Sequence, residues 1–113
     1  MKVDVRKTGK VIIVDLDADL VAGVGDELLS QVMNELLAEN WKKILLNLSK
    51  VSKIDSCGIG EIVAGIKLAK RFGSTVKLVN VGQKVRDVFD LTRILPLLDI
   101  HENETLALEA FGA

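Results

Sequence analysis

Residues 44–66, ILLNLSKVSKIDSCGIGEIVAGI, decide the fold, because the spacing of the apolar residues changes within them. The apolar run Ile44–Leu48 predicts a short buried strand. From Ile59 to Ala69 apolar residues recur at helical spacing, which predicts an amphipathic helix. Asp55 and Ser56 lie between the two and are typical of the start of a helix. The stretch therefore predicts a strand, a loop and a helix, the unit from which parallel sheets are built.

The same alternation of strands and helices extends outward on both sides of this stretch. Before it, Val3 and Val5 alternate with polar residues, and the segment 11–16 is rich in β-branched residues. The two segments flank the turn at Thr8–Lys10 and predict a hairpin. An amphipathic helix of about 14 residues is predicted from Asp26. The predicted strands are 3–7, 11–16, 44–48, 76–81 and 97–100. Of the later helices, the first opens at the Asp55–Gly60 segment and is stopped by Gly73, and the others are 85–92 and 105–111. We therefore expect residues 1–113 to form a single-domain α/β sandwich, with a mixed four- or five-stranded sheet and helices mainly on one side.

Composition excludes several classes of protein. The 113 residues include 15 Lys+Arg and 16 Asp+Glu, so the formal net charge is −1, and the electrostatic attraction that dominates nucleic-acid binding is missing. One Cys and one His can form neither an internal disulfide nor a four-ligand zinc site. No apolar run is long enough for a membrane span or an export signal. We expect a cytoplasmic protein without metal or cofactor, with no direct nucleic-acid contact and no membrane insertion.

The segment Asp55–Gly60, DSCGIG, has two interpretations on its spacing alone. Asp55 and Ser56 are residues that commonly cap helices, and the glycines can serve close packing. Alternatively, the Ser56 hydroxyl is exposed beside a carboxylate at the positive end of a helix, where it can be modified or bound. Capping is the commoner reason for such residues, so spacing leaves both interpretations open.

Two other kinds of site are less well supported by the sequence. Gly58-x-Gly60-x-x-Val63 is an incomplete dinucleotide fingerprint and lies late in the chain, not after the first strand. Cys57 at a helix start has a position that favours a thiolate, but a nucleophile also needs a base. The only histidine, His101, is predicted near the far end of the sheet order. We therefore expect no enzyme activity.

The segment resembles the signature of the STAS domain family, specifically of the small bacterial anti-sigma factor antagonists. Those proteins carry Asp-Ser-Ser/Thr-Gly-Leu/Ile-Gly after a strand that ends in Asn-Leu. Here Asn47-Leu48 is followed by the segment Asp55–Gly60. The opening hairpin, the leucine-rich first helix and the segment Val85–Thr92 also fall where the family has them. The resemblance therefore extends over nearly the whole chain.

The resemblance implies a binding switch that regulates transcription, not an enzyme. By motif match, Ser56 would be phosphorylated by a partner that is both a serine kinase and an anti-sigma factor. The unphosphorylated protein would bind this partner and release a sigma factor, and a serine phosphatase would reset phospho-Ser56. The expected partner-binding residues are Asp19, Asp55, Ser56, Cys57, Gly58, Gly60 and Glu61, with the two glycines allowing the partner's close approach.

The sequence departs from the family pattern at two positions. Cys57 replaces a second hydroxyl residue. Val21 stands where the family pattern Gly-x-Leu-Asp has its aspartate, and Asp19 is the nearest carboxylate that could replace it. The Val21 departure favours a second hypothesis, a STAS-type scaffold subunit of a multiprotein signalling complex or a lipid-transport ATPase, in which Ser56 is only a cap. A third hypothesis is a small-ligand or nucleotide-binding module that uses the glycine loop.

Overall fold

A computed structural model describes residues 2–112, apart from the side chains of Lys2 and Asp26. Helices and strands alternate along the chain after an opening hairpin. The elements are β1 (Lys2–Thr8), β2 (Val11–Asp17), α1 (Asp26–Ala38), β3 (Lys43–Asn47), α2 (Ser56–Arg71), β4 (Thr75–Val79), α3 (Gln83–Leu91), a 3-10 turn (Leu95–Leu97), β5 (Ile100–His101) and α4 (Glu104–Ala110). None of the helices in this part of the chain is both long and apolar enough to cross a bilayer.

The strands form one mixed sheet in the order β1-β2-β3-β4-β5. β1 and β2 are antiparallel, and Gly9 makes their tight turn with a φ of 60°, a conformation that glycine adopts without strain. The remaining strands are parallel, with Ile44 of β3 opposite Ile12 of β2 and Val76 of β4. The predicted mixed sheet is thus confirmed, and the carboxyl ends of β2, β3 and β4 lie at one edge.

The two faces of the sheet are covered unequally. Side chains alternate between faces along each strand, so Ile44 and Leu46 join the larger core with α1, α2 and α3, while Leu45 faces the other way. On that second face a smaller core lies under α4, with Ala107 and Phe111 against the sheet. The prediction that helices pack mainly on one side is confirmed.

The last predicted strand, over residues 97–100, is wrong in its position. Pro96 has no amide hydrogen, so this segment forms the 3-10 turn Leu95–Leu97 instead of a ladder, and the Leu97 amide donates to the Ile94 carbonyl at 2.8 Å. The strand that does form is the two-residue β5, which pairs with the end of β4.

Candidate functional site

The start of α2 is fixed by the carboxylate of Asp55. Asp55 has extended backbone angles and is the N-cap, and its Oδ1 accepts hydrogen bonds from the amides of Cys57 (2.9 Å) and Gly58 (3.1 Å). These amides have no partner within the helix, which is why a carboxylate at this position stabilises the helix start. The predicted cap is therefore Asp55, and Ser56 is the first helical residue.

Asp55 also ties the β3–α2 loop to the β2–α1 loop. Its Oδ2 accepts a hydrogen bond from the Ala22 amide at 3.0 Å, and its own amide donates to the Leu20 carbonyl at 3.1 Å. The Leu20 amide donates to the Lys53 carbonyl at 2.9 Å, so Leu20 and Ile54 form a parallel bridge beyond the main strands. The bond from Ala22 is the largest cause that holds the pKa of the Asp55 carboxyl below its usual value. The carboxylate is therefore ionised at neutral pH.

Gly58 is needed because this same loop lies against it. A Cβ at position 58 would lie 2.0 Å from the Leu20 carbonyl oxygen, a distance that no side chain can occupy. Gly58 is buried, and the backbone that approaches it belongs to this chain. This corrects the expectation that Gly58 lets a partner approach. Gly60, in contrast, is exposed, with no atom near the position of its missing Cβ.

Ser56 is exposed at the first position of α2, as its place at a helix start predicts. Its hydroxyl has no hydrogen-bond partner among residues 2–112, and the neighbouring amides of Cys57 and Gly58 donate to Asp55 instead. Cys57 is exposed beside it, and Glu61 is half-buried one turn further along the helix. The site thus presents a free hydroxyl that a second protein can reach.

The structure does not bring His101 into this site. His101 lies in β5, where its Nε2 is 2.9 Å from Asp99 Oδ1. In the sheet, β4 lies between β5, which carries His101, and β3, the strand that leads into α2 and Cys57. Within the described part of the chain, His, Cys, Asp and Glu side chains form no group of three that could hold a metal ion.

Comparisons with known proteins agree with this geometry. Residues 2–107 match the STAS domain. The chain belongs to the STAS domain family. The anti-sigma-B factor antagonist of Bacillus subtilis is 32% identical over 83 residues, which are 71% of this chain and 76% of that protein. A crystal structure of a protein from Thermotoga maritima has 28% identity and a TM-score of 0.88, covering 96% of this chain and 92% of that one. The Bacillus cell fate determinant SpoIIAA, solved in a phosphorylated form, has the same fold at 17% identity and a TM-score of 0.71, covering 97% and 99% of the two chains.

In this STAS domain, the Asp19 carboxylate forms hydrogen bonds within the chain. Its Oδ1 accepts hydrogen bonds from the Ser52 hydroxyl at 2.9 Å and from the amides of Ser52 and Lys53 at 3.1 Å each. The hydroxyl bond is the largest cause that lowers the pKa of Asp19. Asp19 thus braces the β3–α2 loop through its Oδ1.

A second polar cluster of the STAS domain lies at the same sheet edge, on the face of α4. Asn47 donates to Asp15 at 2.7 Å and accepts from the Asn80 side chain at 3.1 Å, which joins the ends of β2, β3 and β4. Arg6 bridges Asp15 and Glu104 at 2.5 and 2.6 Å, and the bond to Asp15 is the main cause that raises the pKa of Arg6. The asparagine of the family's Asn-Leu pair is therefore structural in this chain.

Sequence reasoning missed the groove beside the motif. Val21, Ile54, Val85 and Val88 line it, with Lys53 and Lys84 among the residues around them. Its walls come from the β2–α1 loop, the β3–α2 loop and α3, and residues so far apart in sequence leave no local pattern that would predict their meeting.

Proposed function

We propose that this STAS domain is an anti-sigma factor antagonist controlled by phosphorylation of Ser56. The unphosphorylated form binds an anti-sigma factor that is also a serine kinase, and a sigma factor is released. Phosphorylation ends the binding, and a cytoplasmic serine phosphatase restores it. The observation that carries the proposal is the exposed Ser56 hydroxyl, free of hydrogen bonds among the described residues, at a rigid helix start.

The hydrogen bonds around Ser56 support a switch that acts at the contact surface. A phosphate adds about −1.5 to −2 charges at neutral pH. The amides of Cys57 and Gly58 already donate to Asp55, and the Ile59 amide donates to the Asp55 carbonyl at 2.9 Å. The phosphate would therefore gain the field of the helix N-terminus but not these donors, and it would project outward. A docked partner meets that charge directly.

The expected weakening is large enough to release a partner. At a separation of about 6 Å and an effective dielectric constant of about 40, one opposing carboxylate costs about 1.4 kcal/mol per added charge. Two added charges then weaken binding on the order of 100-fold.

Binding of the host's anti-sigma factor, measured by titration calorimetry, tests this proposal. Ser56→Asp adds one charge and should weaken binding about tenfold. Thr105→Asp is the matched control, because Thr105 is an exposed residue in the first turn of α4, on the other face of the sheet. It should bind like the wild type. Equal affinities for all three proteins would refute the switch.

Val21 supports a second candidate, a STAS-type scaffold subunit of a larger complex. Its apolar side chain stands where the family pattern has a carboxylate, at the loop that Asp55 holds against α2. This candidate predicts stoichiometric, stable association with proteins that are not kinases. It also predicts that Ser56 carries no phosphate and that Ser56→Asp leaves this association unchanged.

A further inference from the structure

We propose that the groove formed by Val21, Lys53, Ile54, Lys84, Val85 and Val88, here called the Val21 groove, binds an acidic segment of the partner through a large apolar side chain. This rests on the proposed function for the identity of the partner, and it adds the chemistry by which the partner is recognised. The groove does not depend on Ser56 being phosphorylated, so the two proposals are separable.

The floor of the groove is apolar and open to a second molecule. Ile54 and Val85 are buried at its base, and Val21 and Val88 are half-buried along its sides. Its volume of about 310 Å³ is at the low end of ligand pockets, roughly 300–1,000 Å³. This size suits one or two side chains of a protein segment better than a complete small ligand.

Polar groups that would orient a small ligand are scarce in the Val21 groove. The hydroxyl of Ser52, which also lines it, donates to Asp19 and is occupied. Specific small-ligand sites need a few convergent polar groups, and this one offers two exposed lysine side chains instead. The groove therefore favours an apolar anchor flanked by charge.

The charged residues around the groove favour a negatively charged occupant. Lys53 and Lys84 are exposed, and neither ammonium group forms an ion pair or hydrogen bond among the described residues. The charge of Lys53 contributes to lowering the pKa of Asp19, whose carboxylate is held by hydrogen bonds from Ser52 and the Lys53 amide. Val21 adds no negative charge of its own. Two exposed lysines without an ion pair among the described residues, over an apolar floor, are complementary to an acidic segment.

The position of the groove connects it with the phosphosite. Ile54 is in the groove, and Ser56 follows two residues later, after the rigid cap Asp55. An acidic segment that leaves the groove past Asp55 would reach Ser56. A phosphate there would repel this segment, which explains why phosphorylation would end the contact.

Chemical-shift mapping on the full chain tests the Val21 groove with three probe hexapeptides, blocked at both ends. Glu-Glu-Leu-Phe-Glu-Glu carries the proposed charge and anchor, Lys-Lys-Leu-Phe-Lys-Lys reverses the charge, and Glu-Glu-Gly-Ser-Glu-Glu lacks the anchor. The first should shift the resonances of Val21, Lys84, Val85 and Val88, with a Kd of about 1 mM or tighter. The other two should bind at least about tenfold more weakly.

Two charge-reversal variants complete the test. Lys84→Glu lies in the first turn of α3, where an acidic residue suits the helix, so the variant should fold, and it should lose about tenfold in affinity for the acidic probe. Lys67→Glu makes the same change on an exposed part of α2 outside the groove and should bind like the wild type. Unmoved groove resonances with the acidic probe, or equal binding of the basic probe, would overturn the proposal. Neither result would refute the Ser56 switch, because that switch is tested separately, by the phosphorylation of Ser56 and by the release of the partner.

Discussion

Gly58 shows how a single residue serves the site without touching a partner. Its missing side chain lets the Leu20 carbonyl lie against α2, and that carbonyl accepts the hydrogen bond from the Asp55 amide. The loop that carries Val21 is therefore held in place by Gly58 and Asp55 together. The need for glycine at this position of the motif is therefore explained by a backbone contact within the chain.

Gly58→Ala should destabilise the fold by about 3 kcal/mol, because backbone must move to admit the methyl group. Gly60→Ala is the matched control two residues further along α2. Its methyl group meets open space, so it should stabilise the helix by about 0.5–1 kcal/mol. Urea denaturation of both variants measures the difference. Equal stabilities would contradict the close approach of Leu20.

Asp55 makes stability depend on pH in the acid range. Its carboxyl has a lower pKa in the folded protein than in the unfolded chain, where the value is about 3.9. Its contribution is therefore complete above that pH and is lost as the pH falls through the folded pKa. In Asp55→Asn the side-chain oxygen can still cap α2, but an NH2 group then stands in place of Oδ2 and cannot accept the hydrogen bond from the Ala22 amide.

The melting temperature of Asp55→Asn should be lower than that of the wild type at pH 7, and the gap should narrow as the pH falls from about 5 to 2. Thermal melts across this range measure it, with Asp87→Asn as a control on an exposed helix face. A gap that stays constant down to the lowest pH would show that the carboxylate's charge is not what stabilises the loop.

The elements that the sequence predicts well are those with a local pattern. Apolar runs and β-branched segments predicted the strands, apolar residues at helical spacing predicted the helices, and Asp55-Ser56 marked the start of α2. The Leu20–Ile54 bridge and the Val21 groove could not be predicted in this way, since each joins residues more than 30 positions apart. The misplaced final strand has another cause, because Leu97 and Leu98 suggested a strand while Pro96 favoured a turn.

Helix α4 packs on the second face of the sheet largely through Phe111, the residue that follows its C-terminal end. Phe111 is buried against a small core that also contains Val11, Ile13 and Leu45. Phe111→Ala should destabilise the fold by about 3 kcal/mol. Leu106→Ala, at an exposed position of the same helix, should change stability by less than about 0.5 kcal/mol. Similar losses in the two variants, measured by urea denaturation, would contradict the docking of α4 on this face.

At the scale of the whole molecule, the residues that stabilise the fold and those of the proposed function lie in different places. The two cores are buried on the faces of the sheet, while the loops after β2, β3 and β4 meet at the carboxyl-end edge of the strands. Ser56 and the Val21 groove both lie at that edge, and Asp55 and Asp19 hold its loops together. Function of this kind can change at the edge without change in the cores.

A charge at Ser56 should therefore leave the fold intact. Ser56→Asp should melt within about 2 °C of the wild type, because Ser56 is exposed and the cap Asp55 is unchanged. Thr105→Asp provides the same comparison at α4. Calorimetric melts of the three proteins decide the matter. A collapse of Ser56→Asp alone would mean that phosphorylation acts by unfolding.

Phosphate mapping by mass spectrometry, on the protein purified from its native host, addresses the proposed switch most directly. We predict a phosphate on Ser56 in a fraction of the molecules, and an anti-sigma factor bound only to the unmodified remainder. An unmodified Ser56 throughout, together with stoichiometric co-purification of subunits that are not kinases, would contradict the switch and favour the scaffold.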